Sequence, residues 1–373
     1  MTTTSHDSRI RFMIPKSITK LFSASPKSRT GLGLDIGSSA VKIVELTGDG
    51  ESLRLSKVGV AEIIGKNRDS VVTAVKKASA EANIVPKAFG TKVAIGLSGQ
   101  SVIVRYIRVP KMSEEDLSTS LKYEAAKHIP FEINDVVLDF QVLDNTPNDT
   151  NTMEVLLVAV KKDLVNQRLE LLKACKLEPV FVDIDSFATI NAFEHALSSV
   201  FKKKDNVISL INIGAQMTNI SILDSGISKH SGISKLTRDI NIGGKDFTEA
   251  ISEDSGVDIK EAEEMKKSKK ESQKIIEPIK SIAAKLVDEI RMSFDYYESQ
   301  VPDKNIADIY LSGGSSQISI ISDIMHEKIG IETHIWNATN NLKPPMNIET
   351  EKMKKIHPLL PVAVGLALRS ISK

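Results

Sequence analysis

The sequence predicts an α/β protein built from two related lobes. Three observations carry that expectation. β-rich and helical stretches alternate from Gly31 to the end of the chain, which argues for mixed layers rather than a bundle or a sandwich. A strand–glycine–strand unit occurs twice, with its Asp35 and Asn212 positions 177 residues apart. A chain of 373 residues, 41% hydrophobic and 26% charged, has the length for two to three domains and the apolar content to build their cores.

Residues 1–30 stand apart as a basic extension. Arg9, Arg11, Lys16, Lys20, Lys27 and Arg29 face one acid, Asp7, and alternate with Ile10, Phe12, Met13, Ile14, Ile18, Leu21 and Phe22. Two readings stand: a segment that lies on a membrane or docks on a partner, and a flexible tail with one short helical piece interrupted by Pro15. From Gly31 to Leu46 the pattern is strand, tight turn, strand, followed by a β-rich stretch from Leu53 to Ile63 and a helix over 69–84. Residues 91–110 are again β-rich. Ser113, with Asp116 three residues on, marks a helix N-terminus, and that helix ends before Ile129-Pro130. Strands at 136–143 and 153–160 are joined by a polar loop. A helix over 161–175, a strand over 179–184 and a helix over 186–199 complete a first lobe at 31–200, which carries an extra subdomain at about 88–160. The second lobe, 201–373, reads as strand–turn–strand over 207–224, β structure over 231–242 and one long helical region over about 256–300. A buried strand over 308–312 leads into Gly313-Gly314, and a small-residue helix from Pro361 closes the lobe.

Composition narrows the function. Lys and Arg total 49 against 48 Asp and Glu, so no basic field points to nucleic acid. A single cysteine, Cys175, excludes an intrachain disulfide framework and fits a reducing cytoplasm. The seven histidines never pair at ligand spacing, which argues against a zinc site. The longest nearly apolar run, Leu359 to Leu368, is far short of the roughly 20 residues a spanning helix needs, so a soluble protein is expected.

The repeated unit has a physical meaning. Glycine lets backbone approach an oxygen closely, and successive N–H groups in a turn form a concavity of positive potential. Two such hairpins facing across a cleft would clamp a polyphosphate. Asp35, at a strand end, would hold Mg2+ through water, since magnesium keeps much of its hydration shell. No Gly-x-x-x-x-Gly-Lys-Ser/Thr loop is present, so that route to nucleotide binding is absent.

With these residues in view, the chain resembles the actin-like ATPase superfamily, whose duplicated, ribonuclease H-like lobes enclose a nucleotide cleft. Leu34 to Ser39 resembles the first phosphate loop and Asn212 to Asn219 the second. Asp183 to Ala188 resembles the first connecting segment, Leu311 to Ser316 the adenosine motif and Val362 to Ala367 the second connecting helix. Within that superfamily it is similar to the PilM family of type IV pilus assembly. Gly33 to Leu46, Tyr123 to Phe131 followed by Asp139 to Leu143, and Glu289 to Tyr297 carry that likeness. The resemblance implies an FtsA-like extra subdomain, ATP and Mg2+ as ligands, and a cytoplasmic place at the inner membrane held through partners. It implies binding of the N-terminal cytoplasmic segment of PilN, a link from the pilus platform to the motor ATPases, and leaves self-association open.

Site roles follow from the same resemblance. Gly37, Ser38, Ser39 and Lys42 would meet the phosphates from one lobe, and Gly214, Ala215, Gln216 and Thr218 from the other. Glu263 and Lys266 would contact ribose and base, unless they form an ordinary surface pair. Gly313, Gly314 and Ser315 would give the adenine ring bare backbone. Arg108, Tyr123, Ile129 and Phe131 are candidates for lining the partner groove, with subdomain core as the other reading for the last three. The candidate catalytic positions are Asp185, one methylene shorter than the usual water-orienting Glu, and Asn212, an amide where an Asp is usual. An amide adds no negative charge and takes no proton, so both departures predict ATP binding with slow or absent hydrolysis. Two other functions stand as alternatives: an FtsA-like membrane-associated filament protein, and an actin-fold small-molecule kinase with Asp183 as base.

Overall fold

The computed structural model describes residues 29–49, 52–85, 90–143, 151–201, 206–224, 234–268, 273–301, 304–345 and 349–371. Most of the basic extension therefore lies outside the described residues.

The first lobe begins with strands β1 (Arg29–Ile36), β2 (Ala40–Asp49) and β3 (Ser52–Glu62), helix α1 (Arg68–Glu81) and strand β4 (Thr91–Leu97). An inserted segment follows: β5 (Val102–Pro110), α2 (Glu114–Ala126), β6 (Val136–Leu143) and β7 (Thr152–Lys161). The lobe resumes with α3 (Lys162–Ala174), β8 (Leu177–Ile184), α4 (Asp185–Ala196) and the short α5 (Ser198–Phe201). The second lobe runs β9 (Val207–Ile213), β10 (Thr218–Asp224), β11 (Ser234–Ile240), α6 (Gly244–Ser255), α7 (Ile259–Lys267) and α8 (Gln273–Gln300). It ends with β12 (Asp308–Ser312), α9 (Ser319–Ile329), β13 (Glu332–Ile335), α10 (Thr350–Ile356) and α11 (Pro361–Ile371).

The two large sheets have one topology. The first has the order β3-β2-β1-β4-β8 and the second β11-β10-β9-β12-β13. In each, the three strands on one side are antiparallel and the remaining pairs are parallel. The register repeats as well: Asp35 opposes Lys42 across β1–β2, and Asn212 opposes Asn219 across β9–β10. The central strands are apolar because both faces are covered. β9 is buried at every position but one, as a strand between two layers must be.

Local signals set several boundaries. Ser113 Oγ accepts from Asp116 N–H and donates to its carboxylate, starting α2 where the sequence predicts. The long helical region expected over 256–300 is divided. It starts where α6 stops at Gly256 in the left-handed region (φ 68°) and Asp258 caps α7 by accepting from Glu261 N–H, and within it α7 ends at Lys267 and α8 starts at Gln273. β4 belongs to the first lobe's sheet through its pairing with β1 and β8. The separate sheet, β5-β7-β6, thus begins only at Val102, beyond the expected start near 88.

That smaller sheet has two buried faces. Ile107, Val109, Val155 and Leu157 pack with Leu117, Leu121 and Ala125 of α2, while Leu156, Val158 and Val160 join the first lobe's core. Among the described residues no helix is long and apolar enough to cross a membrane.

Helices α4 and α11 run together beneath the first sheet. The contact is backbone on backbone: a Cβ at Gly365 would run into the carbonyl of Ala188, and one at Gly33 of β1 into that of Ala363. The small-residue composition of α11 is thus a packing requirement. Gly365→Val is expected to lower the unfolding free energy by about 3 kcal/mol or more, since backbone cannot give way as a side chain does. Urea unfolding of the purified chain measures this, and an unchanged midpoint would refute it.

Candidate functional site

The first half of the site is the β1–β2 bend. Gly37 N–H donates to Ala40 O (3.1 Å) and closes the turn, leaving Ser38 and Ser39 exposed at the tip. Asp35 and Lys42, placed opposite by the register, form an ion pair of 2.8 Å that is largely buried. Asp185, the first residue of α4, joins them from β8. A Cβ at Gly96 would collide with its carboxylate, so β4 needs glycine there. Asp185 Oδ1 is sealed from solvent without a hydrogen-bond partner. Burial, then the negative charge of Asp35, push this carboxyl up to about 7, against the opposing pull of a Ser98 hydrogen bond, Arg168 and Lys42. Arg168 of α3 faces the same pair of acids. Burial lowers its pKa, and Asp185 and Asp35 act against that shift. Asp183, the base weighed for a kinase, is buried instead with Arg369, whose Nη1 lies 2.6 Å from its Oδ2.

The second half is the β9–β10 bend with its supports. Gly214 N–H donates to Met217 O (3.0 Å), and Gly214 O accepts from Gly244 N–H (2.9 Å) and Ser315 Oγ (3.3 Å). Ala215 O accepts from Lys245 N–H (2.8 Å), while Gln216 is exposed at the tip. Any side chain at Gly243 would strike the backbone of Ala215, Gln216 and Met217, so the start of α6 lies directly on the bend.

Several expected roles are altered. Thr218 is fully buried and donates to Ile242 O (2.8 Å), so its hydroxyl ties β10 to the segment before α6 rather than facing a phosphate. Lys266 donates to Gly244 O and Thr248 Oγ1 (both 2.7 Å) and pairs with Glu263 (2.6 Å). An ammonium has three protons: two are used here to brace α7 against α6 and the third goes to Glu263 within α7, instead of contacting ribose and base. Burial raises the Glu263 pKa, but the hydrogen bonds from Lys266 and Thr248 outweigh it and leave the carboxylate below its usual range. Gly313 is buried against Ile213 O, and Ser315 is engaged with Gly214, so Gly314 is the exposed member of that trio. Asn212 Oδ1 lies 3.4 Å from Ser312 Oγ.

The halves meet. Ser98 bonds Asp185 and is followed by Gly99, whose N–H donates to Asp239 Oδ2 of β11 (3.3 Å). The Met217 methyl packs against Gly99, so the β4–β5 turn touches the second bend directly. The acid pair beside the first bend and the second bend are therefore connected through the β4–β5 turn. Arg168, Ser98, Gly96 and the Gly243-Gly244 pair were missed in the sequence. The double glycine ahead of a helix was a usable signal. Arg168 had none, because only the packing of α3 on β8 brings it in.

The four candidate partner residues differ in exposure. Ile129 is buried in the subdomain core with Leu121 and Val136, the second of the two readings given for it. Phe131 is half-buried, with Lys161 Nζ 4.5 Å over its ring. Tyr123 is 79% exposed on α2. Arg108 is exposed on β5, but strand alternation puts it on the face opposite Ile107 and Val109, away from α2.

Comparison with known proteins agrees with this architecture. Residues 33–371 match the family described as type IV pilus assembly protein PilM. The chain is similar to the structure of a PilM–PilN type IV pilus biogenesis complex, with 28% identity and a TM-score of 0.78, over 91% of this chain and 98% of that one. Ethanolamine utilization protein EutJ from Carboxydothermus hydrogenoformans is 14% identical with a TM-score of 0.53, over 94% of both chains, a likeness of fold alone. The fold is the actin-like, duplicated two-lobe α/β fold.

The Asp185 environment predicts a pH signature. Its carboxyl titrates near 7 when folded, above the ordinary 3.8. The stability it contributes is therefore complete below about pH 4 and lost as the pH rises through 7. Asp185→Asn is expected to flatten the fall in stability between pH 4 and 7.5 and to make the variant the more stable protein at the upper end. Thermal unfolding across that range checks it, and parallel curves for the two proteins would contradict it.

Proposed function

The chain belongs to the PilM family of type IV pilus assembly proteins, and from that premise we propose that it is an ATP-binding scaffold of the pilus inner-membrane platform. One observation carries the reading. Two bends have the same register, and Met217 beside the second comes close to the turn whose Ser98 bonds Asp185, which supports a crevice shared by both bends.

The residues present fit ATP with Mg2+. Ser38 and Ser39 are free at their tip, Ala215 and Gln216 lie at the other, and the Asp185 oxygen without a partner points to an unmet polar demand. Lys42 would exchange Asp35 for phosphate oxygens, and Asp35 would then hold hydrated Mg2+. Bound ATP supplies a transferable γ-phosphoryl group. Asp185, titrating near neutrality, can hold a proton beside it, but Asn212 cannot, which supports slow or absent hydrolysis. Lys42→Ala removes a charge-assisted contact of about 1.5–3 kcal/mol and is expected to weaken MgATP binding at least about tenfold. Calorimetric titration tests this, and equal affinity in the variant would remove Lys42 from the site.

We assign the extra subdomain to the N-terminal cytoplasmic segment of a PilN-type membrane protein; likeness to a PilM–PilN complex supports a partner of that kind. That contact would hold the chain at the inner membrane and connect the platform with its motor ATPases. The subdomain is joined to the second lobe: Tyr106 OH and Ser234 Oγ lie 2.8 Å apart, and Lys235 Nζ is 3.4 Å from Glu154. These links, with Gly99 to Asp239, let a change in lobe spacing reach the subdomain. A synthetic PilN-type N-terminal peptide should bind with different affinities in the presence and absence of MgATP. Tyr106→Phe should shrink that difference while leaving MgATP affinity alone. Identical peptide affinity in both states would eliminate a nucleotide switch, because a ligand shifts an equilibrium only through differential binding.

A further inference from the structure

At the outer edge of the second lobe's sheet, away from both glycine bends, three side chains with metal-binding atoms converge. Parallel pairing of β12 with β13 sets Asp308 opposite Glu332, and the two-residue period of a strand puts His334 on the same face as Glu332. One carboxylate oxygen from each acid and one imidazole nitrogen all lie within 4.8 Å of one another. His334 Nε2 is 3.6 Å from Asp308 Oδ1 and 3.9 Å from Glu332 Oε1. Both distances are too long for hydrogen bonds. They are close to the separation of about 3.3 Å between N and O ligands around a tetrahedral ion with bonds of about 2.0–2.1 Å. Side-chain adjustment that draws the three ligand atoms, now within 4.8 Å of one another, to that spacing would complete such a set, with water in the open position.

The imidazole is also oriented. Its ring lies against Tyr310, centroids 5.2 Å apart, and Tyr310 is buried edge-on against Phe193 of α4. Phe193 in turn meets Trp336, the sole tryptophan in the chain, two residues beyond His334. A ligand nitrogen held by packing costs less to order on binding than a free one.

We propose that Asp308, Glu332 and His334 form a binding site for a zinc-class divalent transition metal. One imidazole with two carboxylates suits zinc in preference to magnesium, which takes oxygen ligands. Histidine spacing along the sequence hid the site, because Asp308 arrives from a neighbouring strand.

The test is calorimetric titration of the full chain with zinc chloride alone, beside the surface variants His334→Gln and Asp308→Asn, with circular dichroism confirming that each is folded. The expected result is one zinc per chain that weakens at least about tenfold in both variants, and an anomalous zinc peak among the three side chains in soaked crystals. Zinc binding of equal strength in all three proteins, an anomalous peak elsewhere only, or no zinc-dependent heat in the parent would each overturn the proposal.

Discussion

Two carboxylates at the end of one sheet cannot both stay ionised in a partly closed crevice without compensating charge, and the first lobe is arranged around that constraint. Asp35 and Asp185 arrive from β1 and from the β8–α4 junction, strands on either side of β4. Lys42 comes from the paired strand, Arg168 from the helix packed behind, and Ser98 from the end of β4. Even so, burial and mutual repulsion leave Asp185 near neutrality, a carboxyl whose proton is held loosely at physiological pH. A polyphosphate with its cation would alter every one of these interactions at once.

The second lobe keeps the geometry and discards the charge. Its positions equivalent to Asp35 and Lys42 are Asn212 and Asn219, which face each other across the same register. Asn219 turns away to Asp239, the residue that also receives Gly99 N–H. Asn219 thus supports a connection between lobes through Asp239, while Asn212 lies against Ser312 of its own lobe. Around it the bend is braced by backbone contacts, from Gly243-Gly244 below and Ser315 beside it, so its shape is set whether or not the crevice is filled.

The joint between the extra subdomain and β11 gives this asymmetry a consequence. Tyr106, Glu154 and Gly99 reach Ser234, Lys235 and Asp239 on a single strand that borders the second bend. The extra subdomain and the second bend therefore share an element, and a mechanical link between them needs no long chain of intermediates.

The duplicated bends, the Ser113 cap and the small-residue helix at the C-terminal end were legible because each depends on local rules: glycine at a turn, an oxygen at an N-cap, close approach between helices. Register was legible too, since an offset repeat carries its strand pairing with it. Other features lay beyond local reading. Thr218, Lys266 and Ile129 have the right identity for a site, yet neighbours from elsewhere in the chain claim their polar protons or apolar faces. Arg168 has no signature at all in its helix. The amino-acid order by itself determined which segments become strands, bends and helices. Tertiary structure alone decided which side chains remain available to a ligand, because availability is set by what a fold places within 3 Å of each polar atom, and that distance crosses segments far apart in the chain.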